Sequence, residues 1–462
     1  MRYLSTRGSA PSVDFKSALL NGLAPDGGLY VPESVPQLST RDIASFAHLS
    51  YQELALEIMM PFVGTCFTKA TLQGMIDRAY STFRHAAIAP LTQLSYDHFL
   101  LELFHGPTLA FKDFALQLVG QLLEASLKKG ERAVVLGATS GDTGSAAIAG
   151  CIGRSNLDIV ILYPHGRTSE VQRKQMTTYP DKNVHALAVD GTFDDCQDLV
   201  KTMFSDQTFR QSHRLLAVNS INWARVLAQV VYYFYAALAL GAPARRVNFT
   251  VPTGNFGDIY AGYVAQQMGL PMGKLVIATN KNDILARCVK TGEYKMNGVS
   301  PTLSPSMDIE ISSNFERLLF DLHGRDGAML ATRMKDFRTS KSLTLTPAQH
   351  TALTTLFAAH TADDAMTLTT IKHEYTRSGT LLDPHTATGI AATQALQAIN
   401  QLEGPTVTLA TAHPAKFPEA IEKATKKSPE LPAHLADLMG RSEKITPLAN
   451  DITVLKDYIS AL

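Results

Sequence analysis

Little in this sequence marks a specialised environment. It holds four cysteines, Cys66, Cys151, Cys196 and Cys288, and no two of them form a Cys-x-x-Cys pair. That spacing offers neither a zinc site nor a disulfide framework, so buried free thiols in a reducing compartment are the plainer reading. Neither sign of charge is in excess, because 42 Lys and Arg balance 42 Asp and Glu. A general nucleic-acid binder needs surplus cations to meet phosphate backbones, so that class is set aside, although one small basic pocket is not. No apolar run is long enough for a bilayer. The greasiest stretch, residues 228–242, falls short of the ~20 residues a span requires and reads as a buried core helix. The first eight residues lack the apolar run of a secretory leader, which makes the cytoplasm the expected compartment. His373-Glu374 is not part of a His-Glu-x-x-His pair, and no other histidines have ligand spacing, so no metal is expected.

What is present points to a chain of two or three domains. A chain of 462 residues exceeds one compact core. Residues 1 to about 90 show a Gly- and Pro-rich entry (22–32) and then a mainly helical pattern from Ser39. From about residue 95, short β-rich runs alternate with helical stretches. Strands are expected at 133–136, 158–163, 185–189, 215–218, 247–251, 275–278 and 406–410. Apolar runs of this length between helices predict parallel strands covered on both faces, hence an α/β fold. Residues 292–308, rich in Gly, Pro and Ser, read as a long loop.

Ligands of such sheets sit at the carboxyl ends of the strands, and three of those ends are unusual. Gly137-Ala-Thr-Ser-Gly-Asp-Thr-Gly144 opens a helix. Its small residues and free amides suit an anion, yet Asp142 stands where a Walker A loop needs lysine. Pro252-Thr-Gly-Asn-Phe-Gly-Asp258 repeats the logic, with glycines at Gly254 and Gly257. Thr411-Ala-His-Pro-Ala-Lys-Phe417 places a hydroxyl at a strand end. The first reads better as an anion site than as a capped turn, the second alone is a moderate signal for phosphate, and the third alone would read as a capped loop; together they describe a pocket. Lys112 lies between Phe111 and Phe114, with His105 and Thr108 upstream. Most lysines are solvated, but a partly desolvated one has a lowered pKa and serves as amine nucleophile and base. In Asn219-Ser-Ile-Asn-Trp-Ala-Arg225, Ser220 and Asn222 start a helix, and Arg225 adds a planar cation suited to phosphate or exposed to solvent.

At these residues the sequence resembles the threonine synthases, a branch of the tryptophan-synthase-β-like (fold type II) pyridoxal-phosphate enzymes. The motifs are His105-Gly-Pro-Thr-Leu-Ala-Phe-Lys-Asp113, Ala138-Thr-Ser-Gly-Asp-Thr-Gly144, Asn219-Ser-Ile-Asn222, Gly254-Asn-Phe-Gly-Asp258 and Thr411-Ala-His-Pro-Ala-Lys-Phe417, in the family's order. Arg2-Tyr-Leu-Ser-Thr-Arg-Gly8 and Asp26-Gly-Gly-Leu-Tyr30 are similar to the longer bacterial and fungal branch, so the resemblance covers nearly the whole chain. It implies two open twisted α/β domains and an N-terminal, mainly helical domain. The expected limits are 1–92 for the N-terminal domain, 93–130 with 215–462 for the large cofactor-binding domain, and 131–214 for the small one. The resemblance further implies that Lys112 carries pyridoxal 5'-phosphate as a Schiff base and acts as the catalytic base. Gly254, Asn255, Phe256 and Gly257 would hold the cofactor phosphate, Thr411 its pyridine nitrogen, and Asp142 would lie near its phenolic oxygen. Ser140, Gly141 and Thr143, together with His105 and Thr108, would bind the substrate, the loop taking its α-carboxylate. Ser220, Asn222 and Arg225 would take a substrate phosphate.

The implied reaction converts O-phospho-L-homoserine and water to L-threonine and phosphate, by γ-elimination and β-addition. Expected partners are therefore one small phosphorylated amino acid, no nucleic acid and no membrane, in a monomer or homodimer. A phospho-lyase that releases a 2-oxo acid, ammonia and phosphate is the alternative these motifs hardly separate. A serine or threonine dehydratase has no use for a second phosphate site, and the intact Lys112 argues against a cofactor carrier without turnover.

Overall fold

The computed structural model describes residues 1–462. All seven expected strands form, because short Val-, Ile- and Leu-rich runs bury both faces when they pair in parallel between helices. They divide between two sheets. The first runs Phe357–Thr361, Met272–Thr279, Val247–Pro252, Thr406–Ala410, His98–Glu102 and Leu91–Gln93, and only the last strand is antiparallel to its neighbour. The second runs Thr446–Leu448, Val184–Val189, Leu157–Pro164, Ala133–Ala138 and Leu215–Ala217, all parallel. Strands Phe357–Thr361 and His98–Glu102 are not legible from apolar runs, since Ala, His and Thr dilute the first and a charged flank the second.

The strand pairing shifts the expected domain limits. Residues 215–462 do not all accompany the first sheet, because Leu215–Ala217 and Thr446–Leu448 add to the two edges of the second. The terminal helix Ile452–Ser460 follows, burying Leu455 and Ile459 with Leu187, Val189 and Leu448. The N-terminal segment lacks a core of its own. One buried cluster runs from Tyr3 to Leu409, and Tyr51 meets Tyr80, Phe114 and Tyr235 edge to face. The loop expected at 292–308 is less irregular than its composition suggests. Glu293–Lys295 pairs with Ser342–Thr344, and Pro305–Met307 makes one tight turn. The greasy stretch falls in helix Trp223–Ala239, which is nearly all buried, and no helix is long and apolar enough to cross a membrane.

One helix crossing positions the chemistry. Helix Lys112–Ser126 belongs with the first sheet and helix Asp142–Cys151 with the second. They touch at two glycines. A Cβ on Gly120 would drive into the Gly150 carbonyl, and one on Gly150 into the Leu116 carbonyl. Both obstacles are backbone and cannot turn aside. The backbones approach this closely because neither glycine carries a side chain, and the first residues of the two helices, Lys112 and Asp142, lie side by side.

Gly120→Ala separates propensity from packing. Helix propensity alone predicts stabilisation of up to about 1 kcal/mol, whereas the crossing predicts destabilisation of about 1–3 kcal/mol. A lowered denaturation midpoint is expected, and an unchanged or raised one means that the helices do not touch there.

Candidate active site

The carboxyl ends of both sheets face one cleft of about 750 Å³, the solvent at its mouth included. Lys112 opens its helix with a side chain 12% exposed, its Nζ 4.8 Å from the centre of the Phe111 ring. Burial lowers its pKa below the ordinary lysine value. Asp142 opposes that shift, while the like charges of Lys416 and Arg225 add to it. This is the desolvated amine that the flanking aromatics predicted.

Asp142 is the most heavily partnered group in the cleft. Its Oδ2 lies 3.4 Å from Lys112 Nζ and accepts from Ser306 Oγ at 3.2 Å. Its Oδ1 pairs with Lys416 Nζ at 2.9 Å and accepts from Gln172 Nε2 at 2.9 Å. Burial opposes its ionisation, but the two ammonium groups outweigh burial and hold the carboxyl far below the usual carboxylate range. Lys416 is fully buried, and its Nζ also donates to the Thr108 carbonyl at 2.7 Å.

The loop before Asp142 winds around the Thr139 hydroxyl, which accepts from the amides of Gly141 and Gly144. The Gly141 amide is therefore spent, while those of Asp142 and Thr143 have no acceptor within the protein. Thr143 lines the cleft and Ser140 is exposed beside it.

Residues 254–259 form the second anion seat. Ser312 Oγ donates to the Gly254 carbonyl, and the backbone and side-chain amides of Asn314 donate to the Asn255 carbonyl. These bonds turn the carbonyls outward. Phe256 takes a left-handed backbone, φ 63°, and the helix Gly257–Gln267 begins. Six consecutive amides, 254 to 259, then lack any protein acceptor. Such a helix start attracts anions. Arg225 lines the cleft, donates to the Val218 carbonyl at 3.0 Å, and leaves its buried Nε without a partner. Burial pulls its pKa down to about 10, so it stays a cation at neutral pH. Ser220 and Thr411 line the same cleft, and the Thr411 hydroxyl makes no hydrogen bond within the protein.

Three of the expected substrate contacts do not line the cleft. Asn222 is fully buried outside the cleft, where it caps helix Trp223–Ala239 and donates to the Leu19 carbonyl at 2.9 Å. Thr108 spends its hydroxyl and amide on the Asp113 carboxylate. His105 pairs with Glu102 at 2.7 Å and does not line the cleft. Several cleft residues escaped the sequence reading, namely Gln229, Ser306, His385 and Asp258, and so did Lys416, which does not line the cleft and reaches it through Asp142. The His385 Nε2 accepts from the Ser306 amide, and its Nδ1 faces Asp383 at 2.9 Å. Lys416 and Asp258 stood inside quoted motifs, but a lysine two residues past Pro414, in the turn after the strand, gives no sign that it is buried.

The donor set suits pyridoxal phosphate: a desolvated amine for an aldehyde, an amide cradle for a phosphate and a neutral hydroxyl for a pyridine nitrogen. Family models agree. "Threonine synthase N terminus" matches residues 2–80, "Pyridoxal-phosphate dependent enzyme" 87–412 and "Threonine synthase, C-terminal" 386–459. A threonine synthase of Pseudomonas aeruginosa is 54% identical over 462 residues, 100% of this chain and 98% of its own. The chain belongs to the threonine synthase family. Among solved structures, PLP-bound threonine synthase from Brucella melitensis superposes with TM-score 0.97 at 51% identity, covering 100% of this chain and 99% of that one. Yeast threonine synthase gives 0.93 at 42%, covering 99% and 98%. The fold is therefore that of the fold type II pyridoxal-phosphate enzymes, and the cofactor is pyridoxal phosphate.

The cradle yields a sharp expectation. A Cβ on Gly254 would stand 2.7 Å from the Ser306 carbonyl. Gly254→Ala should weaken binding of 4'-deoxypyridoxine 5'-phosphate to the cofactor-free enzyme by about tenfold or more, and leave 4'-deoxypyridoxine unaffected. Equal losses for both ligands would show that the loop does not hold the phosphate.

Proposed function

We propose that this cleft converts O-phospho-L-homoserine and water to L-threonine and phosphate, in the cytoplasm, with the roles divided as follows. The observation that carries the reading is the pairing of a desolvated Lys112 with two separate anion seats in one cleft. The cofactor, when bound, supplies the electron sink that lets protons leave carbon. Lys112 is the residue that would hold it, and the amides of 254–259 would hold its phosphate. Thr411 would face the pyridine nitrogen with a neutral hydroxyl, which leaves that nitrogen largely unprotonated and favours elimination and replacement over amino transfer.

Lys112 Nζ then serves as the base. Its lowered pKa brings the neutral amine closer to working pH, where general-base catalysis is most effective. It takes the proton from the substrate Cα and gives it up before it removes one at Cβ, which lets the γ-phosphate leave; protons return at Cγ and, once water has added, at Cα, and the proton from water ends on the released phosphate. Water adds at Cβ. Asp142 stays ionised through this, pinned by Lys416, and fixes where the Lys112 ammonium rests when it carries the proton. The free amides of Asp142 and Thr143 orient the substrate α-carboxylate beside it. Arg225, with Ser220, takes the departing phosphate, and the Arg225 Nε supplies a charged donor that nothing in the protein satisfies.

Supplied with O-phospho-L-homoserine, the enzyme should release threonine and phosphate in equal amounts. Release of 2-oxobutanoate and ammonia instead would identify a phospho-lyase. Lys112→Ala should slow turnover on the order of a thousandfold or more, and threonine formation at the wild-type rate by that variant defeats the proposal. Arg225→Ala removes a charge-assisted hydrogen bond of about 1.5–3 kcal/mol. We therefore expect KM for the phosphorylated substrate to rise by about ten- to a hundredfold while cofactor absorbance is unchanged. Loss of bound cofactor in that variant would place Arg225 on the other phosphate.

A further inference from the structure

The cradle contains a carboxyl group that the reaction does not use. Asp258 follows Gly257 in the first turn of helix Gly257–Gln267, lines the cleft and is 7% exposed. Its Oδ1 accepts from the hydroxyls of both Tyr232 and Tyr233. Tyr233 also donates to the Asp258 carbonyl at 2.9 Å. Its Oδ2 is buried and has no partner in the protein. The titratable groups around it are few. Helix Trp223–Ala239 contributes Tyr232, Tyr233 and Arg225, which lines the same cleft without pairing to Asp258. Helix Lys112–Ser126 contributes Lys112, and Tyr51 stands behind Tyr232.

A bare carboxylate lining the same cleft as six amides that await a phosphate is an electrostatic contradiction, since like charges held close together away from water repel strongly. The two tyrosines settle which oxygen can change. Both hydroxyls need an acceptor at Oδ1, so a proton on the carboxyl must sit on Oδ2. A carboxylic acid so oriented accepts on one side and donates on the other.

We propose that Asp258 takes up a proton when the cofactor phosphate enters the 254–259 cradle and donates it from Oδ2 to that phosphate as a hydrogen bond. This rests on the reading of the cradle as the phosphate seat. Burial already pushes the Asp258 carboxyl up to about 6 in the protein alone, against the two tyrosines and Lys112, and a neighbouring phosphate raises it further. Binding that gains a proton weakens as pH rises through the free-protein value, by about tenfold per pH unit.

The test measures affinity of the cofactor-free full-length enzyme for 4'-deoxypyridoxine 5'-phosphate, which has no aldehyde to join Lys112, between about pH 6 and about pH 8. Asp258→Asn keeps a donor and loses the titration. The ligand's own ionisations are common to both proteins, so the affinity ratio isolates Asp258. The variant should gain on wild type by about tenfold per pH unit across that range. A ratio that does not change with pH overturns the proposal. If Gly254→Ala leaves the preference for the phosphorylated ligand intact, the seat itself is misplaced and the proposal falls with it. Wild-type infrared difference spectra decide the matter should the variant not fold. The carbonyl stretch of a protonated carboxylic acid should appear with the phosphorylated ligand and not with 4'-deoxypyridoxine, and its absence overturns the proposal.

Discussion

Two buried ammonium groups share the carboxylate of Asp142, and much of the cleft is organised around that arrangement. Asp142 and Gln172 come from the second sheet, while Lys112, Lys416 and Ser306 come from the first. Removing one partner of a buried charge pair costs about 3–5 kcal/mol, because the remaining charge is left unpaired. The two halves of the enzyme are therefore joined through the same atoms that set the position and basicity of Lys112. Lys416 balances Asp142, and Arg225, which pairs with no carboxylate, leaves the cleft a surplus positive charge. A cleft that handles two phosphates and a carboxylate benefits from that surplus, which helix starts alone would supply only in part.

The anion sites differ in kind. The 254–259 loop offers backbone amides, which hold a permanent group without flexible side chains, and Ser312 and Asn314 fix its carbonyls outward. Arg225 offers a cation on a side chain, suited to a phosphate that must arrive and leave. Under the proposed assignment the resident anion would be met by dipoles and the transient one by charge.

Much of this was legible beforehand. The seven strands were readable because parallel strands covered on both faces are apolar along their whole length. Lys112, Thr411 and the two glycine-rich loops were singled out because motif and chemistry agreed, and the fold brings them to one cleft. What escaped had no local signature. Asn222 looked like a ligand but caps a helix, since an amide at a helix start serves either purpose until its surroundings are known. Thr108 and His105 lie near Lys112 in sequence, yet their polar atoms turn to Asp113 and Glu102. Lys416 and His385 lie hundreds of residues from Lys112 and meet the cleft only because Thr406–Ala410 sits in the middle of the first sheet and Asp383 caps the helix beneath it. Thr446–Leu448 joined the second sheet because the other face of Val184–Val189 had an open edge.

Lys112 was therefore singled out by sequence, as a lysine flanked by aromatic residues and accompanied by strand-end loops. Its state was decided elsewhere. Only the folded chain sets Gly120 against Gly150, brings Asp142 within reach, and places Lys416 close enough to compete for it. A sequence records which groups can ionise, and the distances between them decide which of them do, because the energy of a charge in a protein interior depends on what stands within a few ångströms of it.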